Sequence, residues 1–221
     1  MRRAIAIVAV LSFTLAAPAP HAAAATWNGR YKVYTADSFS RQVTTYTCVG
    51  ASIQMMLNMI NGDTDKSAKR QKEYWRYAQD HSRFRLTNNG ADAKGWALAL
   101  RNWGGGDYTV GKADSMQASL RTAAQRMRLT GKPVGLLVWH GGHAWVMTGF
   151  SSTADPALTS EYMVTSVQAM GPLWPDGTIN GKRYDPGPRT WIKTRDLKAK
   201  FTAFKQKYTA PWNGRWITVL P

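Results

Sequence analysis

One cysteine stands in the 221 residues, Cys48, in the segment YTCVGASIQMMLN. A thiol is an inert small hydrophobe in apolar surroundings and a nucleophile where its thiolate is stabilised. Cys48 stands where an apolar helical pattern begins: Val49, Ile53, Met56, Leu57 and Ile60 fall at helical spacing, and Asn61-Gly62 supplies a stop. At a helix N-terminus the backbone N–H groups and the helix dipole favour negative charge, so the position suits a thiolate nucleophile. Gly50 and Ala51 keep the next turn slim, as close approach of a substrate would require.

A thiolate nucleophile needs an imidazole beside it. Beyond the first 25 residues the chain offers His81, His140 and His143. His81 lies in the polar segment AQDHSRF and reads as a surface residue. His140 and His143 flank a Gly-Gly turn between two strand patterns. His143 opens HAWVMTGF, too apolar for a surface strand, so its imidazole belongs at the edge of a core and is the expected general base. His140 ends the preceding strand and is the weaker candidate. Acyl transfer also needs donors aimed at the oxyanion. Gln42 lies six residues before Cys48, in RQVTTYTC, and can fold back to offer its side-chain amide. The backbone N–H of Cys48 is the candidate second donor.

The elements that must carry these groups follow from periodicity. TWNGRYKVYT reads as an Asn-Gly turn and a strand from Tyr31 to Tyr34. Helices are predicted from Cys48, over about Lys66–Gln79, around Trp96–Trp103 and over Asp114–Leu129. Strand-length runs then follow in PVGLLVWH, HAWVMTGF and EYMVTSVQAM, with a basic helix over about Thr194–Tyr208 and a last strand in WITVL. Helices early and a sheet late predict an α+β domain. No low-complexity linker divides the chain, so one domain is expected over residues 26–221.

The N-terminus supplies an address. MRR, the apolar run AIAIVAVLSFTLAA and the small-residue segment PAPHAAAAT make a secretory signal peptide over residues 1–25, with cleavage near Ala25. The run is shorter than the roughly 20 residues a spanning helix needs, so a secreted protein with no transmembrane segment is expected. A lone cysteine in an oxidising compartment has no partner in its own chain. The formal charge of +16 falls to +14 without Arg2 and Arg3, which predicts attraction to anionic surfaces such as cell-wall polymers. The basic residues are scattered, and zinc-finger spacings, a phosphate-cradling loop and an RNA-binding aromatic signature are absent. Nucleic acid is therefore not the expected partner, and neither a metal nor a cofactor is expected.

Gln42, Cys48 opening a helix in CVGAS, and a distant GGHAWVMTGF together resemble the papain-like cysteine peptidases. Within these the chain is most similar to the bacterial branch of double-glycine leader (bacteriocin-processing) peptidases. The resemblance implies a papain-like fold, with a helical half carrying the nucleophile packed on an antiparallel C-terminal sheet. It also implies thiol-dependent cleavage of peptide or amide bonds in a peptide or protein substrate; the chain is expected to be a monomer. Gln42 would then be the oxyanion donor, Cys48 the nucleophile and His143 the base.

Two positions depart from that family. Val49 stands where an aromatic usually follows the cysteine, and MGPLWP places Gly171 where Asp-Pro is expected for the third member. If Phe150 and Tyr162 close the hairpin, His143 lies opposite residue 169, which confines its partner to about Ser166–Gly171. Within that stretch only Ser166 and Gln168 carry hydrogen-bonding side chains, and Gln168 is the candidate orienting residue, with a Cys48–His143 dyad as the alternative; Asp155 is at the hairpin tip, at the wrong end of the strand. The alternative to an enzyme is a papain-like binding module with little or no catalysis, taking peptide or cell-wall ligands through the aromatic residues of LWPDGTINGKRYDPGPRTW.

Overall fold

The computed structural model describes residues 27–84, 86, 89–176, 178–179, 182–183, 185–206 and 211–221. The expected signal peptide, residues 1–25, lies outside the described residues. Helix α1 spans Cys48–Asn61, and its apolar face is so wide that twelve consecutive residues from Cys48 are buried. It ends where Asn61-Gly62 predicts, with Gly62 in the left-handed region at φ 74° and its N–H bonded to the Asn58 carbonyl. Helix α2, Ala68–Asp80, begins at the Ser67 cap, and α3, Ala93–Asn102, begins at the fully buried Asp92, whose carboxylate accepts the N–H groups of Lys94 and Gly95. Helix α4, Met116–Thr130, is capped by Ser115 and closed by left-handed Gly131.

The strands are β1 (Arg30–Lys32), β2 (Thr109–Ala113), β3 (Val134–Val138), β4 (His143–Ser152), β5 (Val164–Met170), β8 (Thr190–Lys193) and β9 (Trp216–Leu220), with a small hairpin of β6 (Thr178–Ile179) and β7 (Lys182–Arg183). Among the described residues, seven strands form one antiparallel open sheet in the order β2-β9-β3-β4-β5-β8, with β1 paired to the far half of β4. Among the described residues the architecture is α+β with five helices, the fifth being α5 over Thr194–Leu197.

The sheet is covered on both faces. Leu137, Ala144, Val146, Met170, Ile217 and Val219 pack with α1, α2 and α3. Leu136, Val138, Trp145, Met147 and Phe150 pack with Leu120, Ala123, Ala124 and Met127 of α4. This two-sided burial explains why β3 and β4 read as continuous apolar runs instead of alternating ones. No helix among the described residues is long and apolar enough to cross a membrane.

Three expectations about elements need correction. Strand β2, TVGKA, was absent from the sequence reading; it is a short edge strand whose Gly111 lies against Thr218 and Leu220 of β9. The basic helix expected over Thr194–Tyr208 is helical only over Thr194–Leu197. Beyond it, Phe201 and Phe204 are buried at helix-like spacing, but Trp139 N–H bonds the Lys200 carbonyl, Lys205 N–H bonds the His140 carbonyl and Phe204 N–H bonds the Arg215 carbonyl. These tertiary bonds take the backbone groups a helix would need; residues 207 and 208 lie outside the described residues. The hairpin register is the third. Phe150 pairs with Val167, not Tyr162, and an irregularity between Met147 and Gly149 moves the ladder back by one residue.

Candidate active site

The ladder between β4 and β5 ends at Val146 opposite Met170, so His143 projects past β5 toward the turn that follows it. There His143 meets Asp185, not a residue of β5. Its Nε2 donates to Asp185 Oδ2 at 3.0 Å. Trp145, two residues along and therefore on the same side of the pleat, donates Nε1 to Asp185 Oδ1 at 2.7 Å. The Leu173 N–H completes the set at 2.6 Å from Oδ2. Three donors on a fully buried carboxylate hold it in place and satisfy its charge without water.

Asp185 reaches this point because the chain that leaves the sheet after Gly171 is tied back to it at Pro186. Gly171 N–H bonds the Pro186 carbonyl at 2.9 Å, which closes the base of that excursion. A Cβ at position 171 would lie 2.4 Å from Asp185 Oδ2. The glycine that stands where Asp-Pro is expected therefore leaves room for Asp185-Pro186, fourteen residues later. Sequence reasoning missed Asp185. The Asp-Pro dipeptide in KRYDPGP was the available signal, and the assumption that the acid must follow on the next strand hid it.

Gln168 does not orient His143. It pairs with Gly149, accepts from Thr148 Oγ1 at 3.1 Å and donates to the Arg189 carbonyl at 3.4 Å. The register difference carries it away from the histidine. Asp155 sits at the far end of the hairpin, as expected, and pairs with Arg128 at 2.9 Å. His81 is exposed, stacks on Tyr77 at 3.9 Å and bonds the Tyr77 carbonyl. His140 is exposed, with Nδ1 against the Ala203 carbonyl.

His143 also interacts with the Cys48 thiol, while its Nε2 is engaged by Asp185. Burial opposes charge on the imidazole, but its hydrogen bonds to Asp185 and Cys48 and the neighbouring negative charge outweigh that opposition and raise its pKa to about 9. The ring face is covered by Trp139, stacked at 4.7 Å and only 10° from parallel. Trp139, His140 and Gly141 are three successive left-handed residues, at φ 51°, 58° and 85°. Each non-glycine residue there costs about 1–3 kcal/mol, and the bonds from Trp139 N–H to Lys200 and from His140 N–H to Thr202 Oγ1 hold the turn.

Cys48 is the first residue of α1 and is 8% exposed. Thr47 precedes it without capping the helix through its side chain, so the first-turn N–H groups of α1 are not taken by a side-chain cap. Gly50 is not slim for a substrate. A Cβ there would lie 2.6 Å from the Gln71 carbonyl oxygen and 2.8 Å from Trp75 Cβ, so the glycine lets α2 pack closely on α1.

Gln42 is 8% exposed in the loop that leads into α1. Its side-chain amide donates to the Thr44 carbonyl at 2.7 Å, and an amide nitrogen carries a second hydrogen. Its backbone N–H bonds the Pro172 carbonyl at 2.9 Å. The Gln42 loop is thereby tied to the turn whose next residue, Leu173, holds Asp185. Phe39 and Trp174 meet edge to face at 5.4 Å, and Arg41 pairs with Asp176 at 2.6 Å, across the same two segments. Of the aromatic residues expected to take peptide or cell-wall ligands, Trp174 and Trp191 are each partly buried, and Tyr184 lies outside the described residues.

Among the described residues, no group of three or more His, Cys, Asp or Glu is placed to hold a metal ion. No protein-family model matches the chain, and no curated protein matches it.

Proposed function

We propose that this chain is a secreted thiol-dependent peptidase or amidase of papain-like type. The observation that carries the reading is the relay in which His143, buried and carrying a raised pKa, lies between Cys48 and the triply bonded carboxylate of Asp185. A protonated imidazole beside a thiol at a helix N-terminus favours the thiolate. The Cys48 sulfur attacks the scissile carbonyl carbon, and the electron pair moves onto the carbonyl oxygen. Gln42 Nε2 and the Cys48 backbone N–H are the donors for that oxyanion. As the C–N bond breaks, His143 gives its proton to the leaving amine, and an acyl-thioester remains on Cys48. Water then attacks the thioester with His143 as base, releasing the carboxylic acid and restoring the ion pair. Asp185 holds the ring orientation and stabilises the imidazolium throughout.

The order of parts supports the papain-like arrangement: a glutamine, a cysteine at a helix start, then a histidine on an antiparallel sheet, with the acid arriving after it. The main argument for an inactive binding module was a missing acid, and Asp185 supplies one. The basic composition supports retention on anionic cell-wall polymer, with the substrate a peptide or protein met there.

The test is covalent. Iodoacetamide should alkylate Cys48 at neutral pH at least tenfold faster in the native protein than in His143→Ala, and a fluorogenic peptide library should report turnover that Cys48→Ser abolishes. Equal slow alkylation in both proteins would overturn the reading.

A further inference from the structure

We propose that Gln71, on α2, is the positioning residue of the oxyanion loop, an assignment that rests on the peptidase reading above. Gln71 is fully buried, and its single side-chain amide engages the chain on both sides of Gln42. Its Nε2 donates to the Arg41 carbonyl at 2.8 Å, and its Oε1 accepts the Val43 N–H at 2.8 Å. This is the pairing a neighbouring strand would give, supplied instead by one side chain from a helix. The two peptide units that flank Gln42 are held against the same rigid group, so the direction in which residue 42 projects is set from α2.

The same amide reaches the nucleophile's side of the site. Oε1 also accepts from Thr47 Oγ1 at 3.2 Å, and Thr47 is the residue before Cys48. Thr47 Oγ1 in turn accepts the Thr44 N–H at 3.1 Å, and the Thr44 carbonyl is the one that receives the Gln42 side chain. Gln71 therefore touches the donor loop and the start of α1 together. Its remaining contacts, to Ser40 Oγ at 3.3 Å and Gln54 Oε1 at 3.2 Å, keep the amide from turning over. Gly50 makes the arrangement possible, because any side chain there would push away the α2 backbone at Gln71 itself.

An oxyanion donor gains its effect from being placed before the charge develops, and a few tenths of an ångström matter. Gln71 acts on the step that forms an oxyanion and not on the nucleophilicity of the thiol. Alkylation by iodoacetamide forms no oxyanion, so the two reactions separate the roles.

The experiment compares native protein, Gln71→Met and Gln71→Glu, with folding monitored by circular dichroism and urea midpoint. Gln71→Met keeps the volume and removes every bond. It should lower kcat on a peptide substrate about tenfold to hundredfold, with KM changed less than threefold and Cys48 alkylation changed less than twofold. Gln71→Glu keeps the acceptor for Val43 and Thr47 and should show an intermediate loss. In a Gln42→Ala background, Gln71→Met should cost less than threefold more, because the donor it positions is gone. Native turnover in folded Gln71→Met would overturn the assignment, as would an equal fall in alkylation, full additivity with Gln42→Ala, or loss of the folded state in both Gln71 variants. No turnover and slow alkylation in the native protein would instead overturn the peptidase reading, and this assignment with it.

Discussion

The carboxylate of Asp185 fills the space into which a side chain at Gly171 would grow. A Cβ at 171 would come within 2.4 Å of both the carboxyl carbon and Oδ2 of Asp185. The absence of a side chain at 171 and the presence of a carboxylate at 185 are two halves of one arrangement.

Gly171→Ala follows directly. Asp185 cannot retreat without breaking a bond to His143, Trp145 or Leu173, so the added methyl should displace it. Overpacking of this kind costs about 1–3 kcal/mol. The urea midpoint should fall accordingly, and peptide turnover should approach that of Asp185→Ala. Unchanged turnover in a folded Gly171→Ala protein would show that the carboxylate position is not critical.

The pH behaviour of His143 has a definite sign. Its pKa is raised to about 9 in the folded chain, above the roughly 6.5 of a free imidazole. Its contribution to stability is therefore fully present below about pH 6.5 and is lost as pH rises through about 9. The urea midpoint of the native protein should drop across that window more than that of His143→Ala. The alkaline limb of kcat/KM should lie near pH 9, and Asp185→Asn should move it to lower pH by removing the charge that holds the proton.

Trp145→Phe keeps a buried aromatic ring but shrinks it and removes the Nε1–H given to Asp185 Oδ1. That oxygen is then buried without a donor, which costs about 1–3 kcal/mol. Thermal unfolding should record the loss, and kcat should fall by more than KM changes, because the histidine is less firmly aimed.

Gly50→Ala tests the seam between α1 and α2. The new methyl would meet the Gln71 carbonyl at 2.6 Å and Trp75 Cβ at 2.8 Å, so α2 must shift. A destabilisation of about 1–3 kcal/mol is expected in urea titrations. Turnover should fall while Cys48 alkylation stays near the native rate. A stable, fully active Gly50→Ala protein would mean that the close helix packing does not support the site.

What sequence made legible was local. The start of α1 at Cys48 and its stop at Gly62 follow from side-chain spacing and a left-handed cap, both written in adjacent residues. Strands β3 and β4 announce themselves as apolar because both faces are covered. Cys48 and His143 are legible because each opens a strongly patterned element. What escaped depended on distant chain. The β4–β5 register is set by an irregularity at Met147–Gly149 and a loop with no fixed length rule. Asp185 is placed by a bond between Gly171 and Pro186, and the segment after Leu197 gives up helix for bonds to the His140 turn. Gln71 is one polar residue among many on α2, and only the closeness of α2 to α1 gives it a task.

Strand β9 lies inside the sheet, between β2 and β3, although it is made more than seventy residues after β3. On a ribosome adding about 5–20 residues per second, β3 must wait several seconds for the neighbour that completes it. The segment around Phe204, which packs against Gly141 beside the histidine turn, arrives only slightly earlier. Cys48 and Gln42 are therefore synthesised long before His143 has a finished sheet to stand on. A growing chain carries the Cys48 thiol for several seconds before the sheet that bears His143 has its last strand.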